Sequence, residues 1–183
     1  MENIINDFRD RKIVFVDLEM TGLYPFVNEI VEIRALIVNG RNFEIEKEFH
    51  AKVRPLHPET ATKDGLEISG YNTLDWKDSP HPKEILEKFA HLVPGAMIAG
   101  WNIWVDWTFL QIEFHNYQIK HDYDYRLLDI ASIAYVKLFN EPNVSDIRMR
   151  TISKYLGLKV TVKHDALTDI KATFNVFQKL LEK

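Results

Sequence analysis

The chain has 183 residues, 46% hydrophobic and 27% charged, a size and apolar content that suit one globular domain over residues 1–183. It contains no cysteine, which excludes disulfides, thiolate zinc sites and a cysteine nucleophile, and no stretch approaches the ~20 apolar residues of a bilayer span. With charges at short intervals near its start and a net charge of -4, it reads as a cytoplasmic, non-membrane protein without the basic excess of many nucleic-acid binders.

Residues Ile13 to Val16 form a short apolar run rich in β-branched side chains, which predicts a central strand buried on both faces. Period-two patterns follow from Ile30 to Val38 and from Phe43 to Val53. The second of these puts Phe43, Ile45, Phe49, Ala51 and Val53 on one side. Between them the Asn39-Gly40 pair predicts a hairpin, because both residues tolerate positive φ. The proline-rich stretch from Arg54 to His81 reads as a loop with a short helix near Thr60 to Ile68. Pro82 opens a helix whose Ile85, Leu86, Phe89, Leu92 and Val93 recur at helical spacing, and Pro94-Gly95 closes it. A strand near Ala96 to Ala99 leads to a helix from Ile103 to Tyr117, with Ile103, Trp107, Leu110, Phe114 and Tyr117 facing the core. Next come a strand at Arg126 to Asp129 and helices over Ile130 to Phe139 and Arg150 to Leu156, the latter ended by Gly157. The last helix runs from about Asp165 to the end. Strands first, then strands alternating with helices, imply a mixed sheet with helices on its faces.

Three elements carry chemistry. In Val16 to Gly22, VDLEMTG, strand alternation points Asp17 and Glu19 to the same face at the exit of the central strand. Converging carboxylates there cost several kcal/mol unless something compensates them, and no basic residue is close in sequence. A divalent cation compensates them directly, and oxygen-only ligands suit magnesium or manganese; the alternative is two acids reaching water at a strand end. In Gly100 to Leu110, GWNIWVDWTFL, Asp106 lies on the apolar stripe of its helix and needs a partner, either a cation or a distant Arg or Lys. In His164 to Thr173, HDALTDIKAT, Asp169 falls about 80° from the centre of the stripe formed by Ala166, Ile170, Phe174, Phe177 and Leu181, and Asp165 about 120°. Asp169 is therefore the inward candidate, Asp165 the N-cap, and His164 precedes the helix. Between Ile147 and Lys163 the charges are all basic (Arg148, Arg150, Lys154, Lys159 and Lys163), which fits either a solvated face or a nucleic-acid contact.

Together these elements resemble the DnaQ-like exonucleases of the DEDDh type, over nearly the whole chain. The family's pattern appears as Asp17 and Glu19, Asn102 and Asp106, and His164 and Asp169, in the family's order. DLEMTGL is especially similar to oligoribonuclease, whereas the second motif follows general DnaQ-type enzymes. The resemblance implies an α/β, ribonuclease-H-like fold with a mixed five-stranded sheet flanked by helices on both faces. It also implies a 3'-5' exonuclease acting on the 3' end of single-stranded DNA or RNA and releasing nucleoside 5'-monophosphates.

By the same resemblance, Asp17, Glu19, Asp106 and Asp169 would hold two divalent cations, Mg2+ or Mn2+, and His164 would be the general base. Thr21 and Asn102 would seat the terminal nucleotide. Trp101, by its own position ahead of the helix, either stacks on a base or packs in the core. Trp101 stands where many relatives carry histidine and Arg34 where glycine is frequent, and neither is expected to touch the acidic set. A homodimer or a polymerase partner fits the resemblance. The rival readings are a catalytically silent nucleic-acid-binding module and a proofreading subunit acting mainly within a polymerase assembly.

Overall fold

The run of β-branched and aromatic side chains that opens the chain forms strand β1, Ile13–Met20, longer than its apolar core because the acidic residues beyond Val16 stay in the strand. The structure is a computed structural model that describes residues 7–159 and 166–183. Strands β2 (Ile30–Val38), β3 (Ile45–Lys52), β4 (Met97–Gly100) and β5 (Leu127–Asp129) complete a five-stranded sheet in the order β3-β2-β1-β4-β5. The first three strands pair antiparallel, and β4 and β5 join parallel to β1. β1 is thus central, as its apolar composition predicts.

Helices cover both faces. Helix α3 (Pro82–Ala90) and helix α4 (Trp104–Asn116) bury Ile85, Leu86, Phe89, Phe109, Leu110 and Phe114 against Val14, Val16, Leu18 and Ile33. On the opposite face α5 (Ile130–Leu138), α6 (Met149–Tyr155) and α7 (Ala166–Leu181) pack Ala134, Ile152, Ile170, Phe174 and Phe177 onto Ile13, Phe15, Leu36 and Val38. Phe15 sits at the centre of that second core, with its ring 5.2 Å from Phe174 and 5.4 Å from Phe177. Two short helices, α1 (Lys63–Ser69) and α2 (Thr73–Trp76), lie in the proline-rich segment. Thr62 caps α1 through its hydroxyl, so that helix starts and ends later than its sequence pattern suggests.

The hairpin between β2 and β3 departs from the two-residue turn expected at Asn39-Gly40. Asn39 N donates to Glu44 O at 2.9 Å and Phe43 N to Asn39 O at 3.0 Å, and the positive φ, 55°, belongs to Phe43. Gly40 is needed for space instead: a Cβ there would meet Arg11 O at 2.1 Å. A register shift near Ile37 and Val38 then breaks the alternation of β3. Phe43 consequently packs on Phe177 in one core while Phe49 packs on Phe89 in the other, and Ile45 is exposed. On α7 the inward stripe passes through Leu180, leaving Leu181 half exposed, and on α4 Trp107 and Tyr117 are only partly buried. The N-cap expected at Asp165 lies outside the described residues.

Candidate active site

β4 runs alongside β1 only as far as the pair Phe15 and Ala99, and there the chain turns out of the sheet. Gly100 permits the exit, since a Cβ would meet Val16 O at 2.8 Å, and Asn102 takes a left-handed conformation, φ 52°, that Asn tolerates better than most residues. Beyond this point β1 has lost its parallel neighbour, and the Leu18 N–H needs another acceptor. Asp106, buried in the first turn of α4, supplies it: Leu18 N donates to Asp106 Oδ1 at 3.0 Å. The Asp106 carboxylate thereby docks on the backbone between Asp17 and Glu19.

Asp17 and Glu19 continue the face of β1 that carries Ile13 and Phe15, the face covered by α7. The Phe15–Phe174 and Phe15–Phe177 contacts seat α7 there, and Asp169 in its first turn adds its charge to the site. Burial first, then the Asp169 and Glu32 charges, push the Asp17 carboxyl up to about 7, with Arg34 opposing. The Glu19 carboxyl is pushed up to about 8 by burial and by Asp17, Glu32 and Asp169, again opposed by Arg34. Asp106 is raised well above the usual carboxylate range by burial and by Asp17, against the pull of its hydrogen bond from Leu18.

These acids are mutually repulsive oxygen donors, a donor set that fits a hard divalent cation. Among the described residues no three acidic or imidazole groups are already gathered around one point, so the acids share one electrostatic neighbourhood without forming a closed cage. The fit rests on charge and on oxygen chemistry.

Arg34 stands opposite Asp17 in the register of the β1–β2 ladder, and Glu32 opposite Glu19; the Arg34 charge opposes the upward shift of both acids, an influence at a distance that the sequence did not suggest. Sequence distance hid this, because the compensating cation comes from the neighbouring strand. The available signal was two charged residues, Glu32 and Arg34, at alternate positions of an otherwise apolar β2.

The residues expected to meet a nucleotide are placed differently from one another. Thr21 is fully buried; its hydroxyl accepts from Glu29 N at 2.9 Å and its carbonyl from Thr62 N at 2.8 Å, so it fixes the loop beyond β1. Asn102 is exposed at the turn into α4, and Trp104 beside it is 63% exposed. Trp101 is half buried and packs on the second core. His164 lies outside the described residues, as does Lys163 of the basic stretch; Arg148 is exposed, and Lys154 is exposed on α6.

Residues 14–177 match the RNase T family, described as exonucleases. The chain belongs to that exonuclease family. Similar proteins include the DNA polymerase III PolC-type proteins of Caldanaerobacter subterraneus subsp. tengcongensis, 28% identical over 93% of the chain, and of Thermotoga maritima, 26% identical over 100%. The chain spans only 12% and 13% of the length of those polymerases. Among solved structures, E. coli Exonuclease I in complex with a dT13 oligonucleotide superposes with a TM-score of 0.77 at 18% identity, over 94% of this chain and 41% of that one. A zinc-bound form of the Exonuclease I–single-stranded DNA complex superposes equally well, at 19% identity. This likeness establishes the ribonuclease-H-like fold that the motif resemblance implies.

Proposed function

We propose that this RNase T-family domain is a 3'-5' exonuclease that hydrolyses the terminal phosphodiester of single-stranded DNA or RNA and releases nucleoside 5'-monophosphates. The observation that carries the reading is the shared electrostatic neighbourhood of Asp17, Glu19 and Asp106 at the free end of β1, to which Asp169 of α7 adds its charge, in a chain of an exonuclease family. Two divalent cations, Mg2+ or Mn2+, held by these carboxylates would activate water and neutralise charge on the leaving oxygen. The chain's own part is to bring ionisable oxygens together where water is scarce, which makes the site selective for a multiply charged cation.

In this reading His164 takes the proton of the attacking water, the P–O3' bond breaks, and the 3' oxygen leaves on the shortened strand. Thr21, through the loop it fixes, and Asn102 at the exit from β4 seat the terminal nucleotide, and the partly buried Trp101 stacks on a base. The PolC-type relatives favour a second reading, in which the same domain proofreads within a polymerase assembly. A 5'-labelled single-stranded oligonucleotide incubated with Mn2+ should give a ladder that shortens from the 3' end. His164→Asn should slow it by roughly 10²-fold or more without weakening oligonucleotide binding. Binding without shortening would instead support a catalytically silent module.

A further inference from the structure

The α7-facing side of the sheet changes character along β1 and β2. The pairs Ile13–Val38 and Phe15–Leu36 are apolar, and the next pairs on that side are Asp17–Arg34 and Glu19–Glu32. β3 continues the polar end with His50 opposite Arg34 and Lys52 opposite Glu32. Residues directly opposed in an antiparallel ladder share a face, with Cβ atoms about 4.5–5.5 Å apart, so Arg34 stands beside Asp17 by the register of the sheet.

The guanidinium is held tightly. Arg34 Nε donates to Glu32 Oε1 at 2.7 Å, an Arg34 Nη lies 2.5 Å from that oxygen, and His50 Nε2 approaches it at 2.6 Å. The Arg34 and Glu32 side chains keep only 14% and 6% of their exposure. Burying an ion pair costs desolvation that well-packed apolar residues avoid, and one step along the ladder Phe15 and Leu36 take that apolar solution. A pair buried at this cost beside the Asp17 and Glu19 carboxylates calls for a role in the site.

We propose that Arg34 is a positioning residue of the acid site: a resident cation, clamped by Glu32 and His50, that balances Asp17 and Glu19 before a divalent cation arrives and opposes that cation once it binds. The inference rests on the divalent-cation reading above. Coulomb coupling of Arg34 to both Asp17 and Glu19, opposite in sign to that of Glu32, agrees with the geometry. The consequence is moderated cation affinity, which keeps the site exchangeable.

The test is Mg2+ binding by calorimetry at about pH 9, above the range in which Asp17 and Glu19 take up protons. Arg34→Met, and Arg34→Gln should Met prove poorly folded, should tighten Mg2+ roughly tenfold, because a fixed positive charge near the cation is gone. Arg34→Lys keeps the charge and should stay within about twofold of wild type. The double variant Glu32→Gln with Arg34→Met removes both charges and should return towards the wild-type affinity. A merely structural role would lower the melting temperature of Arg34→Met with the Mg2+ affinity unchanged, and that result overturns the inference. Weaker Mg2+ binding in Arg34→Met overturns it too, by making Arg34 an organiser of the ligands. If wild type itself fails to bind Mg2+, the cation reading fails first, an outcome distinct from both.

Discussion

Asp106 anchors the Leu18 N–H and, in the proposed function, also serves the chemistry, and two substitutions separate the two roles. Asp106→Asn keeps an oxygen to accept from Leu18 N but removes the buried charge, so its metal-free melting temperature should equal or exceed that of wild type while hydrolysis collapses. Asp106→Ala leaves the buried N–H unpaired at a cost of about 1–3 kcal/mol, each kcal/mol being about 2–4 °C for a domain of this size. Thermal unfolding in a chelator checks both, and equal losses in the two variants would show that the hydrogen bond is not what Asp106 contributes to folding. A pH effect follows from the same crowding. Asp17 and Glu19 are raised from 3.8 and 4.5 to about 7 and 8, so across that window the folded, metal-free protein binds more protons than the unfolded chain. Stability from these groups is therefore greatest at low pH and falls as pH rises through the window. The melting temperature of wild type relative to Asp17→Asn should decline from about pH 4 to about pH 8 in a chelator and stop declining in saturating Mg2+. A difference that is flat in the chelator would mean the acids are not mutually strained.

At the scale of elements, the end of β1 is held by close backbone approach. Gly65 of α1 brings the helix against Thr21, where a Cβ would lie 2.3 Å from the Thr21 carbonyl oxygen, and backbone cannot step aside as a side-chain tip can. Gly65→Ala should cost about 1–3 kcal/mol and raise KM more than it lowers kcat, because it displaces the loop fixed by Thr21 and leaves the acids in place. Differential scanning calorimetry with steady-state kinetics reads this, and an unchanged KM would detach α1 from the nucleotide seat. The strands and longer helices were legible because burial imposes periods of two and 3.6 on the sequence. The turn at Phe43, the shift that sends Phe43 and Phe49 to different cores, and the cap at Thr62 were not, because backbone spacing against Arg11 and Thr21 decides them. The acids Asp17, Glu19, Asp106 and Asp169 could be singled out from motif spacing, whereas the balancing set of Glu32, Arg34 and His50 exists only once three strands are in register.

For the whole molecule, the two cores do different work. The core under α3 and α4 fixes the point where Asp106 reaches β1, and the core under α7 seats the helix whose Asp169 acts electrostatically on Asp17, so the acids become neighbours only when both faces are packed. The chain matches a short part of PolC-type polymerases and superposes on part of Exonuclease I. The central claim is that acids delivered from both faces form one cation-dependent hydrolytic centre. Turnover of a 3'-hydroxyl single-stranded oligonucleotide in saturating Mg2+, compared between wild type and Asp169→Asn, tests it most directly. The account predicts a loss of at least about 100-fold in Asp169→Asn with no fall in the metal-free melting temperature. Near-wild-type turnover in Asp169→Asn would contradict it, since the contribution of α7 to the centre would then be dispensable.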